Sequence, residues 1–247
     1  MLCKVGSEKD VEMKHLKWLG SHKIDGCRCL AHCDEEIKLL GRNGTDYTNK
    51  FPEIVEELKT LGKGIFDGEV VCDNFDKTAS RVHTDNKLKS KLLSEQYPAT
   101  LWIFDFVCPE ILSERLKKIE KINGRFVKYL EHTTDLIGLF EKAKKEDWEG
   151  IVLKNPNSFY SDKRSNDWLK VKLQIERFIS FNQFELNNAG VKITDGFHTI
   201  QVSGSESKSV VQMIKNTGSC ECEVRGMSVL PSGHIRQPVF AGVRKDV

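Results

Sequence analysis

From Lys23 to Leu40 the chain alternates polar and apolar side chains, and a turn follows at Arg42-Asn43-Gly44. A period of two puts successive side chains on opposite faces of a strand. The stretch therefore predicts a β-hairpin with its loop near Asp34-Glu35. The hairpin opens on Lys23-Ile24-Asp25-Gly26-Cys27-Arg28, which gathers a lysine, an acid, a glycine and an arginine within one short turn. A lysine amine is a nucleophile only without its proton. In water its pKa is about 10.4, so burial or nearby positive charge has to ease the proton off. Gly26 lets the backbone bend and a phosphate approach. Arg28 offers a planar fork of donors that fits phosphate oxygens. The group suits a lysine that attacks a nucleotide phosphorus, although Asp-Gly is equally at home in a plain surface turn.

Further along, Ile54, Val55, Leu58 and Leu61 fall at helical spacing within Pro52 to Leu61, and Ile65 to Cys72 reads as a strand. Asp73 to Tyr97 is polar and basic, with Arg81, Lys87, Lys89 and Lys91. It is either a solvated helix or loop or a surface that faces DNA. Leu101 to Val107 is a buried strand, and Leu112 to Ile122 and Thr134 to Glu146 are helices. Gly150 to Lys154 and Leu169 to Leu173 are again strands, which gives an α+β first domain over residues 1–173. Composition then shifts. Arg177 to Glu185, Gly190 to Thr194, His198 to Ser203, Cys220 to Gly226 and His234 to Ala241 read as five short strands, with one helix at Lys208 to Lys215. That is what a small β-barrel of the OB type requires, and it fills a second domain over residues 174–247.

The 38 lysines and arginines exceed the 36 acids by only two, so a nucleic-acid footprint would be a local patch rather than a whole basic face. No apolar run is long enough to span a bilayer, and Met1-Leu2-Cys3-Lys4-Val5-Gly6 lacks the apolar core of a signal peptide. The expected location is cytoplasmic, at a nucleoid or its viral equivalent, with no membrane partner. The eight cysteines read as reduced thiols. Cys27 and Cys29, like Cys220 and Cys222, alternate along a strand as small side chains, and their spacing is not that of a zinc knuckle.

Several further motifs stand in order. They include Gly41-Arg42-Asn43-Gly44 with Asp46, Thr48 and Phe51-Pro52, then Phe66-Asp67-Gly68-Glu69 and Leu101-Trp102-Ile103-Phe104-Asp105-Phe106. Glu149-Gly150-Ile151-Val152-Leu153-Lys154, Trp168-Leu169-Lys170-Val171-Lys172 and the ending Ile235-Arg236 to Val247 follow. Together with the Lys23 motif, from about Lys14 to the last residue, they resemble the collinear motifs of the ATP-dependent DNA ligases. That family belongs to the covalent nucleotidyltransferases, with the RNA ligases and the RNA-capping guanylyltransferases. The Arg42 motif and the Pro238-Phe240 ending resemble DNA ligases more than those two alternatives.

The resemblance implies an α+β nucleotidyltransferase domain, ATP-grasp-like, followed by an OB-fold. It implies ATP and Mg²⁺ (or Mn²⁺) as cofactors and nicked double-stranded DNA as partner, for a monomer with room for a protein partner. Lys23 would carry the adenylyl group, with Asp25 beside it and Lys170 and Lys172 easing its proton off and stabilising transition-state charge. Glu69 would meet the ribose, and Phe104 would stack on adenine unless it is simply core in the run with Trp102 and Phe106. Glu149, Asp25 and Asp246 would serve the metal. Arg28 and Arg42 would take the nick's 5′-phosphate or that of AMP, with Arg81 among the DNA contacts. Arg236, Arg244 and Asp246 would close over ATP and orient pyrophosphate. Two positions depart from the family. Ser21 stands where many relatives carry Glu or Gln, and Val247 where many end in lysine, which leaves Lys245 to supply that charge. With only about 20 residues ahead of Lys23, the expectation is a minimal two-domain form without a separate N-terminal DNA-binding domain. A non-catalytic OB protein with a decayed first domain is a third reading, but Lys23, Glu69, Glu149, Lys170 and Lys172 all stand.

Overall fold

A computed structural model describes residues 2–227, 229 and 232–244, and the chain divides into two units, Met1–Val171 and Lys172–Val247. In the first unit the strands are β1 (Leu2–Val5), β2 (Leu19–His22), β3 (Cys27–Cys33), β4 (Ile37–Gly41), β5 (Gly64–Val71), β6 (Thr100–Phe106), β7 (Val127–Tyr129), β8 (Gly150–Lys154) and β9 (Arg164–Lys172), which runs to the boundary. Its helices are α1 (Glu8–Lys14), α2 (Pro52–Leu58), α3 (Phe75–Val82), α4 (Lys87–Gln96), α5 (Leu112–Lys117) and α6 (Leu136–Lys145).

Two sheets carry this unit, one ordered β4-β3-β5-β6-β7 and the other β1-β9-β8-β2. The expected hairpin is β3 and β4, paired antiparallel with Leu30 opposite Leu40. Alternation sorts the five-stranded sheet into two faces. Cys29, Ala31, Leu39, Val70, Leu101 and Ile103 are buried against Phe51, Ile54 and Leu58. Arg28, Glu69, Trp102 and Phe104 occupy the other face, half-buried. Cys27 and Cys29 are therefore small strand side chains, as their spacing indicated, and all eight cysteines are free thiols. Pro52 starts α2, where its missing N–H costs nothing, and Ile54 and Leu58 face the core one turn apart.

The basic stretch after Asp73 folds as α3 and α4. Asn74 caps α3 by accepting from the Lys77 N–H at 2.9 Å, and Asn86 caps α4 in the same way at 3.0 Å. Lys87, Lys89 and Lys91 are exposed, but Arg81 is not. Arg81 is 1 % exposed and lies across the Phe51 ring at 4.5 Å. It donates to both Glu53 carboxylate oxygens, to the Lys50 carbonyl at 2.6 Å and to the Tyr97 carbonyl at 3.0 Å. The expectation of a DNA contact is corrected here, since Arg81 is a buried tie between α3 and the start of α2. A second tie, Arg115 to Asp105 at 2.7 and 2.9 Å, is completely buried. It also holds the Glu110 and Ser158 carbonyls, and α5 ends at Lys117, short of the Ile122 expected from spacing.

The second unit holds β10 (Ile175–Phe181), β11 (Gln183–Asn187), β12 (Gly190–Thr194), β13 (Thr199–Val202), α7 (Glu206–Thr217), β14 (Cys220–Gly226) and β15 (Val239–Val243). The first of the five expected strands is broken at Asn182. Its halves head two sheets, β10-β14-β15 and β11-β12-β13. Phe181, Val191, Ile200, Val210, Ile214 and Val224 fill its core. The α7 helix ends on Gly218 at φ +84, a left-handed cap that glycine adopts without strain.

Removing one partner of a buried ion pair strands the other charge, so Arg81→Ala should cost about 3–5 kcal/mol. Urea unfolding would measure it. Any DNA affinity of the fraction that stays folded should be unchanged, and a selective loss of DNA binding at full stability would restore the contact.

Candidate active site

Between the two sheets of the first unit lies a cleft of about 420 Å³. The four-stranded sheet supplies Cys3, Ser21, Val152, Lys154, Arg164, Trp168 and Lys170 to its wall. Arg28, Glu69 and Phe104 come from the five-stranded sheet, with Lys23 and Arg42 at the connections.

The pairing of β2 with β8 fixes Lys23. Ser21 stands opposite Val152 and His22 opposite Ile151, and the next rung is the bond from the Lys23 N–H to the Gly150 carbonyl at 3.0 Å. That register brings Glu149, just before β8, beside the residue just after β2. The Lys23 ammonium donates to the Glu149 carboxylate, which is 6 % exposed. Gly20 faces the opposite way, against Leu136 and Leu139 near α6, so alternation turns Ser21 and Lys23 to the cleft. His22 stacks on Trp148 at 3.8 Å, and burial lowers its pKa to about 4, which keeps it neutral beside the lysine.

Gly26 is required by contact rather than by φ. A Cβ there would lie 2.3 Å from the Val70 carbonyl oxygen and 3.0 Å from Glu69 Cγ. Arg28, across from Glu69 on the neighbouring strand, is locked by Asp67 at 2.9 and 2.7 Å. Tyr160 donates to the same carboxylate at 2.8 Å and accepts from Arg28 at 3.3 Å. Burial works against the Arg28 cation, but the bonds and charge of Asp67 more than offset it and raise its pKa. Glu69 is pushed up to about 8 by burial, with Asp67 and Glu149 repelling its charge while Lys23 and Arg28 oppose the shift.

At the far end the Phe104 ring meets Trp168 edge-on, with centroids 5.9 Å apart. Phe104 lines the cleft rather than the core. Alternation predicts that Trp102, Phe104 and Phe106 share a face, but the β5–β6 pairing shifts register between Asp67 and Gly68, so Phe106 pairs with Phe66 and meets its ring edge-on at 5.2 Å, on the other face. Ser21 Oγ and Trp168 Nε1 are buried and without a hydrogen-bond partner in the structure. Buried polar groups normally have partners, so two such atoms in one cleft wall suit a polar ligand. Lys154, 1 % exposed, completes this end and has its pKa lowered to about 8 by burial.

The cleft thus gathers Lys23, Arg28, Arg42, Glu69, Phe104 and Lys170, with Glu149 bound to Lys23. Asp25 is half-buried beside the lysine but is not part of the wall. Lys172 ends β9 two residues beyond Lys170, on the same side of the strand. Arg236 and Arg244 belong to the second unit, where Arg244 pairs with Glu221 at 3.1 Å and lies over the Phe178 ring at 4.9 Å. Asp246, with Lys245 and Val247, lies outside the described residues. Among the described residues no group of three or more His, Cys, Asp and Glu side chains could hold a metal ion.

Comparison with known proteins decides the family. Residues 1–172 match the family model described as ATP dependent DNA ligase domain. The chain belongs to the ATP-dependent DNA ligase family. It is 25 % identical to the multifunctional non-homologous end joining protein LigD of Pseudomonas aeruginosa, over 93 % of this chain and 34 % of that protein. It is 28 % identical to a DNA ligase of Archaeoglobus fulgidus, over 71 % of this chain and 36 % of that one. The chain thus spans about a third of the length of these curated relatives. A solved Lig E DNA ligase structure superposes with a TM-score of 0.73 at 17 % identity, covering 98 % of each chain. A mycobacterial DNA ligase D complexed with ATP and MES superposes at 0.61, with 20 % identity, 100 % of this chain and 95 % of that one. At these identities the superpositions speak for the fold alone, a mixed α/β architecture.

Sequence reasoning passed over Asp67, Tyr160, Lys154 and Arg164 as site residues. Asp67 had a signal, an acid in a strand that reads as buried, which needs a partner. Tyr160 had none, since it meets Asp67 across 93 positions.

The raised pKa of Glu69 has a consequence for stability. Its protonated form is favoured by folding, so the contribution is full below the usual glutamate range and lost as pH rises through about 8. Glu69→Gln, which fixes the neutral state, should match the wild type near about pH 4 and exceed it by ~1 kcal/mol or more near about pH 9. Thermal unfolding across that range decides it, and equal pH profiles would refute the assignment.

Proposed function

We propose that this chain seals 5′-phosphate/3′-hydroxyl nicks in duplex DNA with ATP, through a Lys23-AMP intermediate and then adenylated DNA. The observation that carries the reading is Lys23, hydrogen-bonded to Glu149 in a cleft whose other end holds an aromatic ring and two unpartnered buried polar atoms. These residues fit a nucleotide. The ring of Phe104 suits a base, Glu69 a ribose hydroxyl, and Lys23 with Lys170 the α-phosphate.

In the first step the Lys23 amine attacks the α-phosphorus. An N–P bond forms, the bond to the bridging oxygen breaks, and pyrophosphate leaves. The proton that the amine gives up has the Glu149 carboxylate as an acceptor already bonded to it. Lys170 lies in the same wall and offsets charge that builds on the phosphoryl oxygens. Lys172, Arg236, Arg244 and Asp246 are assigned to the same step by the resemblance alone. In the second step the 5′-phosphate of the nick takes AMP from Lys23, and in the third the 3′-hydroxyl displaces AMP. Arg42, exposed at the cleft, is the better candidate for the nick phosphate, because Arg28 is already committed to Asp67. A divalent cation, Mg²⁺ or Mn²⁺, would draw on Glu149 and Asp25 and on the phosphates themselves, and when bound it neutralises phosphate charge.

The domain assignment is residues 1–173 for adenylation and 174–247 for an OB-fold. Strand order supports the barrel. One broken strand, β10 with β11, pairs with β14 on one side and β12 on the other, and α7 connects β13 to β14. Among the described residues no helix is long and apolar enough to cross a membrane.

Labelled nicked duplex tests the reading against an RNA ligase or a capping guanylyltransferase. The wild type should join nicked DNA with ATP, and Lys23→Ala should lose joining by at least ~1000-fold while still binding the duplex. Covalent labelling by GTP without joining, or joining confined to RNA strands, would favour the alternatives.

A further inference from the structure

Lys154 is a buried cation whose hydrogen bonds go to neutral groups. Its ammonium donates to the Phe104 carbonyl at 3.3 Å and to His132 Nε2 at 2.7 Å. It also lies 4.8 Å from the centroid of the Phe104 ring and 4.3 Å from that of Trp168. One side chain thus grips Phe104 twice, by backbone and by ring. Trp102, the same-face neighbour on β6, stands about 7 Å away along the strand and cannot set the ring's tilt alone, and Phe106 packs on Phe66 instead. A cation on the ring face can, because the attraction depends on lying over the ring.

Behind Lys154 the chain of bonds closes on itself. An ammonium only donates, so Nε2 of His132 must accept, and the ring proton sits on Nδ1. Nδ1 then donates to the Tyr129 hydroxyl oxygen at 3.0 Å. Burial, with Lys154 beside it, holds the His132 pKa well below its ordinary value, so the imidazole stays neutral and available as acceptor. Tyr129 ends β7, which pairs with β6 at Ile103, next to Phe104. A well-packed apolar residue in place of Lys154 would avoid the cost of burying a charge. Its position against the two rings gives that cost a use.

We propose that Lys154 is a positioning residue that sets the Phe104 ring for stacking on the nucleobase, and that His132 and Tyr129 hold Lys154 in turn. This rests on reading the cleft as the ATP site with Phe104 as its stacking ring. The test is equilibrium titration with an ATP analogue whose α–β bridge cannot be cleaved, so that binding is read without turnover. Phe104→Ala should weaken binding by about tenfold. Lys154→Met should weaken it by about fivefold, and Lys154→Arg should recover most of that loss. The double variant, Phe104→Ala with Lys154→Met, should bind about as weakly as Phe104→Ala alone, since Lys154 acts through the ring. His132→Leu, which removes only the acceptor behind Lys154, should move in the same direction as Lys154→Met, so the test does not depend on one variant folding. Losses that multiply in the double variant would mean that Lys154 touches the nucleotide itself. Wild-type binding by folded Lys154→Met, or by His132→Leu should Lys154→Met fail to fold, would also overturn the proposal. An inert Phe104→Ala would instead remove the stacking reading on which it rests.

Discussion

Lys23 and Glu149 stand 126 positions apart and meet because β2 and β8 pair in one register. Slipping that register by one residue would turn Ser21 and Lys23 away from the cleft and toward the face that packs near α6. The register is held from both sides. Gly20 allows Leu136 and Leu139 to approach, where a Cβ would meet them at 2.6 and 2.8 Å. On the edge of β2 the Gly20 N–H and carbonyl both bond to Thr133, at 2.7 and 2.9 Å. The site's central pair is thus a product of sheet pairing and of helix packing behind it.

Around that pair, charge is handled in three ways. Asp67 and Arg28 neutralise each other with Tyr160 as a third partner, and Asp105 and Arg115 do so in full burial. These pairs stiffen the strands that present the cleft, and removing one partner of either would strand a buried charge. Glu69 has no such close match and is instead pushed toward its neutral form. Lys154 rests on two rings and a neutral histidine. The Lys23 end is thus crowded with carboxylates and cations, and the Phe104 end with aromatic faces and donors. A nucleotide has the same polarity, with charged phosphates at one end and a flat base at the other.

Much of this was legible because most strands of this unit alternate. Lys23 to Leu40 announced β3 and β4, and the run from Leu101 to Phe106 put Trp102 and Phe104 on one face, but a register shift that alternation cannot foresee turns Phe106 to the other, beside Phe66. Sequence could not decide whether the Phe104 face was core or cleft, since this depends on what the second sheet places opposite. Arg81 was misread for a related reason. A basic segment looks solvated until a distant acid, Glu53, is folded onto it. The broken strand at Asn182 left no mark, because both halves keep a strand's composition. The Lys154–His132–Tyr129 chain was equally silent, as its members come from separate elements and none has an unusual local pattern.

The central claim is that Lys23, among all the lysines of the chain, accepts the nucleotide. Incubating the protein with ATP and Mg²⁺, digesting it, and locating the AMP-bearing peptide by tandem mass spectrometry tests that directly. The account predicts one modified residue, Lys23, in the peptide that contains Ile24-Asp25-Gly26. AMP on Lys154, on Lys170 or on any other lysine, with Lys23 unmodified, would contradict it.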